Sequence, residues 1–458
     1  MVTRNIKMEE SEKRYLLLIL AHIAIGFAIY YIPFFPKVYG YTILLGGIYF
    51  VINSQNKNNE VLYASAYIVG SEVVLRMTGG NINYEFSKYG VIIFMVIGMY
   101  YKGVSKDAAA YWIYLILLLP GMCIALYSLK YTQDLQNRIS FNTSGPICLG
   151  ISSLYCYTRK VTFKQINEIL LLVGLPIIST VIYLTLYTPS IRDVITSTTS
   201  TGSNFDTSGG FGPNQVATIL GFGMFVFVSR LIYFSNSKLL FIVNLIVAFD
   251  ISYRGLVTFS RGGMMTGFLM LIILILITYF NINSGAKIKM NYLLIAITIT
   301  MVSVWVYSSL QTSGLIDKRY ANQDSRGRQK KDQFTGRGEL AQDELETFFK
   351  YPFFGVGVGK TAELRAERMG FLVVSHDEIT RTLAEHGSLG ILALMILFAT
   401  PLFLYLDNNH NIYLLCFIVF WILTINHAAM RLAAPAFIYS LSLLKVVINE
   451  KKPIVHWE

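Results

Sequence analysis

Charge is scarce in this sequence. Asp, Glu, Lys and Arg make up 14% of its 458 residues, against about 25% in a soluble domain. Hydrophobic residues make up 54% and mean hydropathy is +0.52, which excludes a chain of ordinary water-soluble domains. Cysteine is scarce too. Cys123, Cys148, Cys156 and Cys416 all fall in apolar segments, which argues against a disulfide or zinc framework. No basic region, short apolar run and small-residue cleavage site precede the first apolar segment. Arg14 to Ile32 is therefore expected to be a first spanning helix rather than a removed leader. The net charge of +11 does not indicate nucleic acid. Its excess lies in short loops and tails, where a membrane protein uses it for orientation.

What is present is a series of apolar runs near 20 residues, the mark of an all-α polytopic membrane protein. Spans are expected near 15–32, 39–53, 60–77, 86–101, 109–128, 141–157, 167–187, 213–233, 239–258, 263–280, 291–309, 388–405, 411–428 and 431–448. The second, third, sixth and last are weak, which gives 12 to 14 transmembrane helices. Three parts follow: a transmembrane bundle over 1–310, a polar loop over 311–387, and C-terminal helices with a tail over 388–458.

An N-terminus inside (Arg4, Lys7, Lys13, Arg14) also puts Lys102, Lys106, Arg159, Lys160, Lys164, Arg230, Lys238, Lys287, Lys289, Lys451 and Lys452 inside. The outer loops carry fewer cations (Lys37, Lys130, Arg138, Arg192), as the positive-inside rule requires. The 77 residues from Gln311 to Gly387 then face outward, in a bacterial cytoplasmic membrane toward periplasm or exterior. This island carries 12 cationic and 12 acidic side chains, and it cannot sit in hydrocarbon. Most of these charges are expected to be solvated surface. Outside the cytoplasm there is no ATP pool, so a synthetic reaction there needs a substrate that brings its own activation, such as a lipid pyrophosphate.

Several local patterns are candidates for chemistry. Ser375-His376-Asp377-Glu378 has the Ser-x-x-Glu form of a capping box, which predicts a helix with His376 at its first position and an end at Gly387. The helix dipole there favours neutral imidazole and Asp377 opposes it; a solvated loop histidine fits the same residues. Thr258-Phe-Ser-Arg261-Gly-Gly263 sits between two apolar runs. Arg261 could meet a lipid phosphate or snorkel from a tight hairpin. Gly336-Arg337-Gly338 opens an amphipathic stretch that Pro352 stops, so Arg337 is a candidate cation or an ordinary surface arginine.

Gly355-Val-Gly-Val-Gly-Lys360-Thr361 is not a phosphate loop, because position 354 is phenylalanine where that pattern needs glycine. It is expected to be a glycine-rich turn between two surface helices. Glu72 and Arg76, and Asp250 and Arg254, are acid-before-base pairs four apart, either functional or self-neutralised structural pairs. Arg254 leads toward Arg261 and could support it. Asn214 and Gln215 follow Pro213 at the outer start of a span and could bond sugar hydroxyls or cap the helix. The catalytic rim is thus expected at 189–215 and 258–263.

The order of these pieces resembles the O-antigen ligase and polysaccharide polymerase superfamily, which includes bacterial O-linked oligosaccharyltransferases. The resemblance covers roughly Gly210 to Tyr405. It rests on Ser260-Arg261-Gly262, Arg337 before an amphipathic helix, Pro352-x-x-Gly355-x-Gly357-x-Gly359, and His376-Asp-x-x-x-x-x-Leu383-x-Glu385-x-Gly387-x-x-Gly390. Asp377 stands where the family usually has Asn, and no aromatic residue is placed in the turn after Arg337.

The resemblance implies a C-type glycosyltransferase fold with no metal or other cofactor. It implies a glycan donor on undecaprenyl pyrophosphate and inverting transfer outside the cytoplasm. It also implies roles: Arg261 and Arg337 at the pyrophosphate, His376 as general base, and Asn214, Gln215, Asp377 and Arg254 around the substrate. The acceptor is a second lipid-linked glycan in a polymerase, lipid A core in a ligase, and protein in an oligosaccharyltransferase. A chain-length regulator is a further expected partner. Polymerase is the first reading. A lipid-linked oligosaccharide flippase is the rival from another class, but it would line its spans with cations, and few lie inside the spans here. A non-catalytic scaffold would not need His376.

Overall fold

The computed structural model describes residues 10–130, 135–198, 200–330, 337–370, 373–408 and 410–447. They form eighteen α-helices and two short strands. The first half contains α1 (Glu10–Tyr31), α2 (Phe35–Ser54), α3 (Glu60–Met77), α4 (Phe86–Lys102), α5 (Ala109–Ser128), α6 (Leu135–Cys156), β1 (Lys160–Thr162), α7 (Phe163–Tyr187) and α8 (Ile191–Thr198). The second contains α9 (Pro213–Tyr233), α10 (Lys238–Leu256), α11 (Arg261–Asn281), α12 (Ser284–Gln311), α13 (Leu315–Tyr320), α14 (Arg337–Lys350), α15 (Lys360–Met369), α16 (Glu378–Asp407), α17 (Leu414–His427), α18 (Ala434–Leu441) and β2 (Lys445–Val447).

Thirteen of the fourteen expected spans coincide with a helix; the last, 431–448, holds only the eight residues of α18 and then β2. Among the described residues, nine are long and apolar enough to cross a membrane: α1, α2, α5, α7, α9, α10, α11, α12 and α16. Helices α3, α4, α6 and α17 share the bundle but are shorter, less apolar or more charged. Exposed side chains such as Leu17, Leu45, Tyr292 and Ile299 line the outside. Lipid, not water, is their natural solvent. The protein is an all-α polytopic membrane protein.

Helix α9 is the central post, with 89% of its apolar window buried against 22% for α12. Its contact with α11 is built from small residues. A Cβ on Gly263 would lie 2.3 Å from the Ala217 backbone, and one on Gly267 would lie 2.2 Å from the Gly221 carbonyl. Only bare glycine lets two backbones approach this closely. The contact sets the start of α11, and so Arg261, beside the start of α9.

The opposite end of the bundle is closed by β1 and β2, which pair in parallel from Lys160–Lys445 to Thr162–Val447. Arg159 donates to the Gly103 carbonyl there, beside Lys102. Several of the cations expected inside thus share one end, and Arg261 lies at the other.

The polar segment is more than a solvated loop. Gly355, Gly357 and Gly359 all have positive φ (70°, 91° and 79°) and form the turn between α14 and α15. Gly355 packs against the Glu385 backbone and Gly357 against Ile124 and Ala125 of α5. Helix α16 breaks at Gly387, whose φ of 62° and ψ of −140° are non-helical, so the predicted stop is real although a second helix continues from it.

Candidate functional site

At the start of α11, Phe259 takes a left-handed φ of 58° while fully buried, a conformation rare for a bulky residue. It turns the chain so that Ser260 Oγ donates to Asn214 Oδ1 at 2.7 Å and Arg261 begins the helix. Arg261 Nη1 reaches the carbonyl of Arg319 in α13 at 3.3 Å. Arg319, itself buried, returns a bond from Nε to the Phe259 carbonyl at 2.9 Å, and its Nη2 lies 3.5 Å from Ser203 Oγ. Lys330 completes the group. Partial burial, then the charges of Arg319 and Arg261, hold its ammonium below the usual lysine range. Three cations gathered this closely repel one another, and an anion would relieve that repulsion.

Directly beneath them is an apolar cavity of about 310 Å3 between α9, α10, α11 and α12. Its walls include Met224, Leu256, Phe268 and Thr300, and Trp305 and Tyr320 also line it. Burial raises the Tyr320 phenol above its ordinary range, against the lowering pull of Arg261 and Arg319. A long apolar slot thus ends at a cluster of cations.

His376 lies on the polar segment, two residues before α16. The expected capping box is not formed. Asp377 is the N-cap, accepting from the Ile379 amide at 2.8 Å, and α16 starts at Glu378. Ser375 Oγ instead accepts from the Asp377 amide at 3.2 Å, and its single proton goes to Glu344 Oε2 at 3.1 Å or the Asp377 carbonyl at 3.0 Å. His376 is therefore a loop residue held from both sides. The Ala429 amide donates to its carbonyl at 3.1 Å, and Arg431 Nη2 donates to the Ser375 carbonyl at 2.8 Å. Its Nδ1 lies 3.1 Å from the Val374 carbonyl. A carbonyl can only accept, so Nδ1 carries a proton; in the neutral ring this leaves the lone pair on Nε2, the tautomer a general base needs.

A minority of the island's described charges are buried rather than solvated. Glu344 and Arg365 form an ion pair of 3.0 Å with both side chains fully buried. Arg381 bridges Glu378 and Glu385, all three buried. Glu344 further accepts from Thr380, 2.6 Å away. Burial raises the Glu344 carboxyl above the ordinary range against Thr380, Arg365 and Ser375, and burial raises Asp377 as well. These ions are paired because an unpaired charge could not be desolvated here. They fix the loop that carries His376.

The two halves meet through the end of α17. His427 packs on Gly262, where a Cβ would lie 2.7 Å from its ring, and its Nε2 lies 3.1 Å from Thr218 Oγ1. Two residues on, Ala429 holds His376. The other candidates have structural partners. Gln215 Oε1 accepts from Arg76, which pairs with Glu72 at 2.8 Å. Buried Arg254 donates to the Thr188 carbonyl at 3.1 Å, tying the 188–206 segment to α10. Arg337 starts α14, but its side chain lies outside the described residues. Gly359-Lys360-Thr361 cradles a carboxylate of its own chain: the Gly359 amide and Thr361 hydroxyl both bond Glu385 Oε1.

Residues 246–395, from α10 into α16, match the family model described as O-antigen ligase. Over this segment the chain is similar to that family, which supports the resemblance to the O-antigen ligase and polymerase superfamily. No curated protein matches the chain. The matched segment contains Arg254, Arg261, Arg319, Lys330, Glu344 and His376. Asn214, Gln215, His427 and Arg431 lie outside it. Sequence reasoning missed Arg319, Lys330, His427 and Arg431. Arg431 follows the apolar run of α17 at the Arg261 end, so an ionisable group at a span boundary was its available signal.

Proposed function

We propose that this chain transfers a glycan from a polyprenyl pyrophosphate donor to a hydroxyl acceptor, and that it acts as a surface polysaccharide polymerase. The observation that carries the reading is the cation cluster of Arg261, Arg319 and Lys330 set over the apolar cavity beneath Tyr320. A polyprenyl chain fits the cavity and a pyrophosphate fits the cations. Fixed cations aimed at a leaving pyrophosphate stabilise charge as it develops, without reorganisation in the transition state. Arg337, at the start of α14, would add a further cation.

His376 is the proposed general base. With Nδ1 committed to Val374, Nε2 takes the proton of the acceptor hydroxyl. The oxygen attacks the anomeric carbon opposite the pyrophosphate, the bond to the donor phosphate breaks, and the configuration inverts. Asn214 and Gln215, at the start of α9, would bond sugar hydroxyls. Asp377 and Arg254 hold the loops on either side. The site is proposed to face the periplasm or cell exterior, as the charge distribution along the chain suggests. Ligation to lipid A core or to protein uses the same chemistry with another acceptor.

The deciding experiment incubates purified protein with a defined undecaprenyl-pyrophosphate glycan and no added metal. Elongation is expected, lost in His376→Ala and Arg261→Ala. Undiminished activity in both variants would overturn the site assignment. Transfer only to added lipid A core or peptide would overturn the polymerase reading.

A further inference from the structure

A second cavity, of about 1220 Å3, lies between α1, α2, α3 and α7 and takes no part in the site above. Helix α1 leans on α7 and α2 leans on α3, while α3 packs closely on α7, so the open wedge lies between α1 and α2.

The rim of the crevice is at the end of the bundle away from Arg261. Helix α9 starts beside Arg261 and carries Arg230 to this rim, roughly 24 Å further along at ~1.5 Å per residue. Arg14 and Lys164, near the starts of α1 and α7, line the same rim. Two carboxylates also line it, and both are engaged. Glu60 accepts from the Asn58 amide at 2.9 Å and its side chain at 3.1 Å. Glu168 lies 3.3 Å from the Tyr63 hydroxyl and 3.8 Å from Lys164. Arg230 lies over the Tyr15 ring at 4.4 Å, and its buried Nε meets no acceptor among the described residues. The rim can therefore receive one anionic group.

Below the rim the walls become apolar, with Leu18, Ile43, Leu171 and Leu175. From Lys164 to Leu175 the wall of α7 runs about 16 Å, close to one leaflet of a ~30 Å hydrocarbon core. An anion-binding rim over a mainly apolar crevice at least one leaflet deep has the chemistry of a phospholipid. We propose that this crevice binds a glycerophospholipid of the leaflet opposite the Arg261 site. Arg14, Lys164 and Arg230 hold its phosphate, and an acyl chain lies between α2 and α7 along Leu18, Leu171 and Leu175.

Gly46 supplies the test. It lines the crevice, and a Cβ added to it meets nothing within 4 Å. A larger side chain there fills the acyl path without straining the helix. The full chain is purified in mild detergent, and bound lipid is read by native mass spectrometry and extraction against added phospholipid. A co-purified diacyl phospholipid is expected. Gly46→Trp should remove it while the melting temperature is kept. Arg14→Gln with Lys164→Gln should weaken retention about 30-fold, from ~1 kcal/mol per lost cation. Undiminished retention in either variant overturns the proposal, as does a polyprenyl phosphate in place of the diacyl lipid. Retention does not depend on glycan transfer, so its failure and that of the catalytic reading are separable.

Discussion

Arg261 and Arg319 are joined by a hydrogen bond from the Arg261 guanidinium to the Arg319 carbonyl, at 3.3 Å. Arg319 answers through Phe259, so the membrane rim and the polar segment clasp each other where their cations meet. Arg319→Ala should then remove a charge and loosen the turn that aims Arg261. Loss of one preorganised donor typically costs about 10²–10³ in kcat. Initial-rate transfer assays at saturating lipid donor measure this. A fall confined to KM would assign Arg319 to ground-state binding alone.

The cavity beneath Tyr320 gives a separable expectation. Thr300 lines it, and its hydroxyl bonds only its own helix, at the Ala296 carbonyl, among the contacts described. Thr300→Trp should fill the slot and raise KM for a donor with a full-length polyprenyl tail. A donor with a short tail should react nearly as before. Equal effects on both donors would place the tail elsewhere.

The α9–α11 contact has no room for a side chain. Gly263→Ala places a methyl 2.3 Å from the Ala217 backbone. Overpacking of this kind costs about 1–3 kcal/mol, and here it displaces the helix that begins with Arg261. Thermal melting and transfer should both fall. Gly285→Ala, with only Asn283 Oδ1 at 3.9 Å, is the control and should leave both unchanged.

The helical architecture was legible because apolar runs are local: the stretch that makes α9 is contiguous, and lipid demands that it be helical. The glycine turn was legible for the same reason. The cap at α16 was misread because Ser375 Oγ accepts from the Asp377 amide and is oriented by Glu344, 31 positions away. Local spacing cannot show it. The Glu344–Arg365 pair is invisible likewise, since neither residue's neighbours mark it as buried. Arg261, His376 and Asn214 stood out through local pattern. Arg319, Lys330, His427 and Arg431 join them only when α13 and the end of α17 fold back.

Glu344 should make the His376 loop sensitive to pH. Its carboxyl is raised by burial, so the folded state binds the proton more tightly than the unfolded chain does. Stability should therefore fall as pH rises from the ordinary carboxylate range, near ~4.3, through the raised folded value. Asp377 acts in the same direction. Thermal melts across this window should show the decline, and Glu344→Gln should flatten it. Arg365→Ala should steepen the loss by leaving a buried carboxylate unpaired, a change worth about 3–5 kcal/mol.

Arg431 offers the sharpest separation of positioning from chemistry. Its guanidinium bonds the Ser375 carbonyl at 2.8 Å and lies 6.0 Å from the Phe141 ring centroid, so it braces the peptide next to His376. Arg431→Ala should let that loop relax and lower kcat by about tenfold, since a misplacement of ~1 Å can cost as much as 10². Donor KM should hold, because the pyrophosphate cations are untouched. The descending acid limb of the pH–rate profile should persist in Arg431→Ala, with His376 still the base, and vanish with the residual activity of His376→Ala. A loss of the acid limb in Arg431→Ala would instead make Arg431 part of the proton-transfer chemistry.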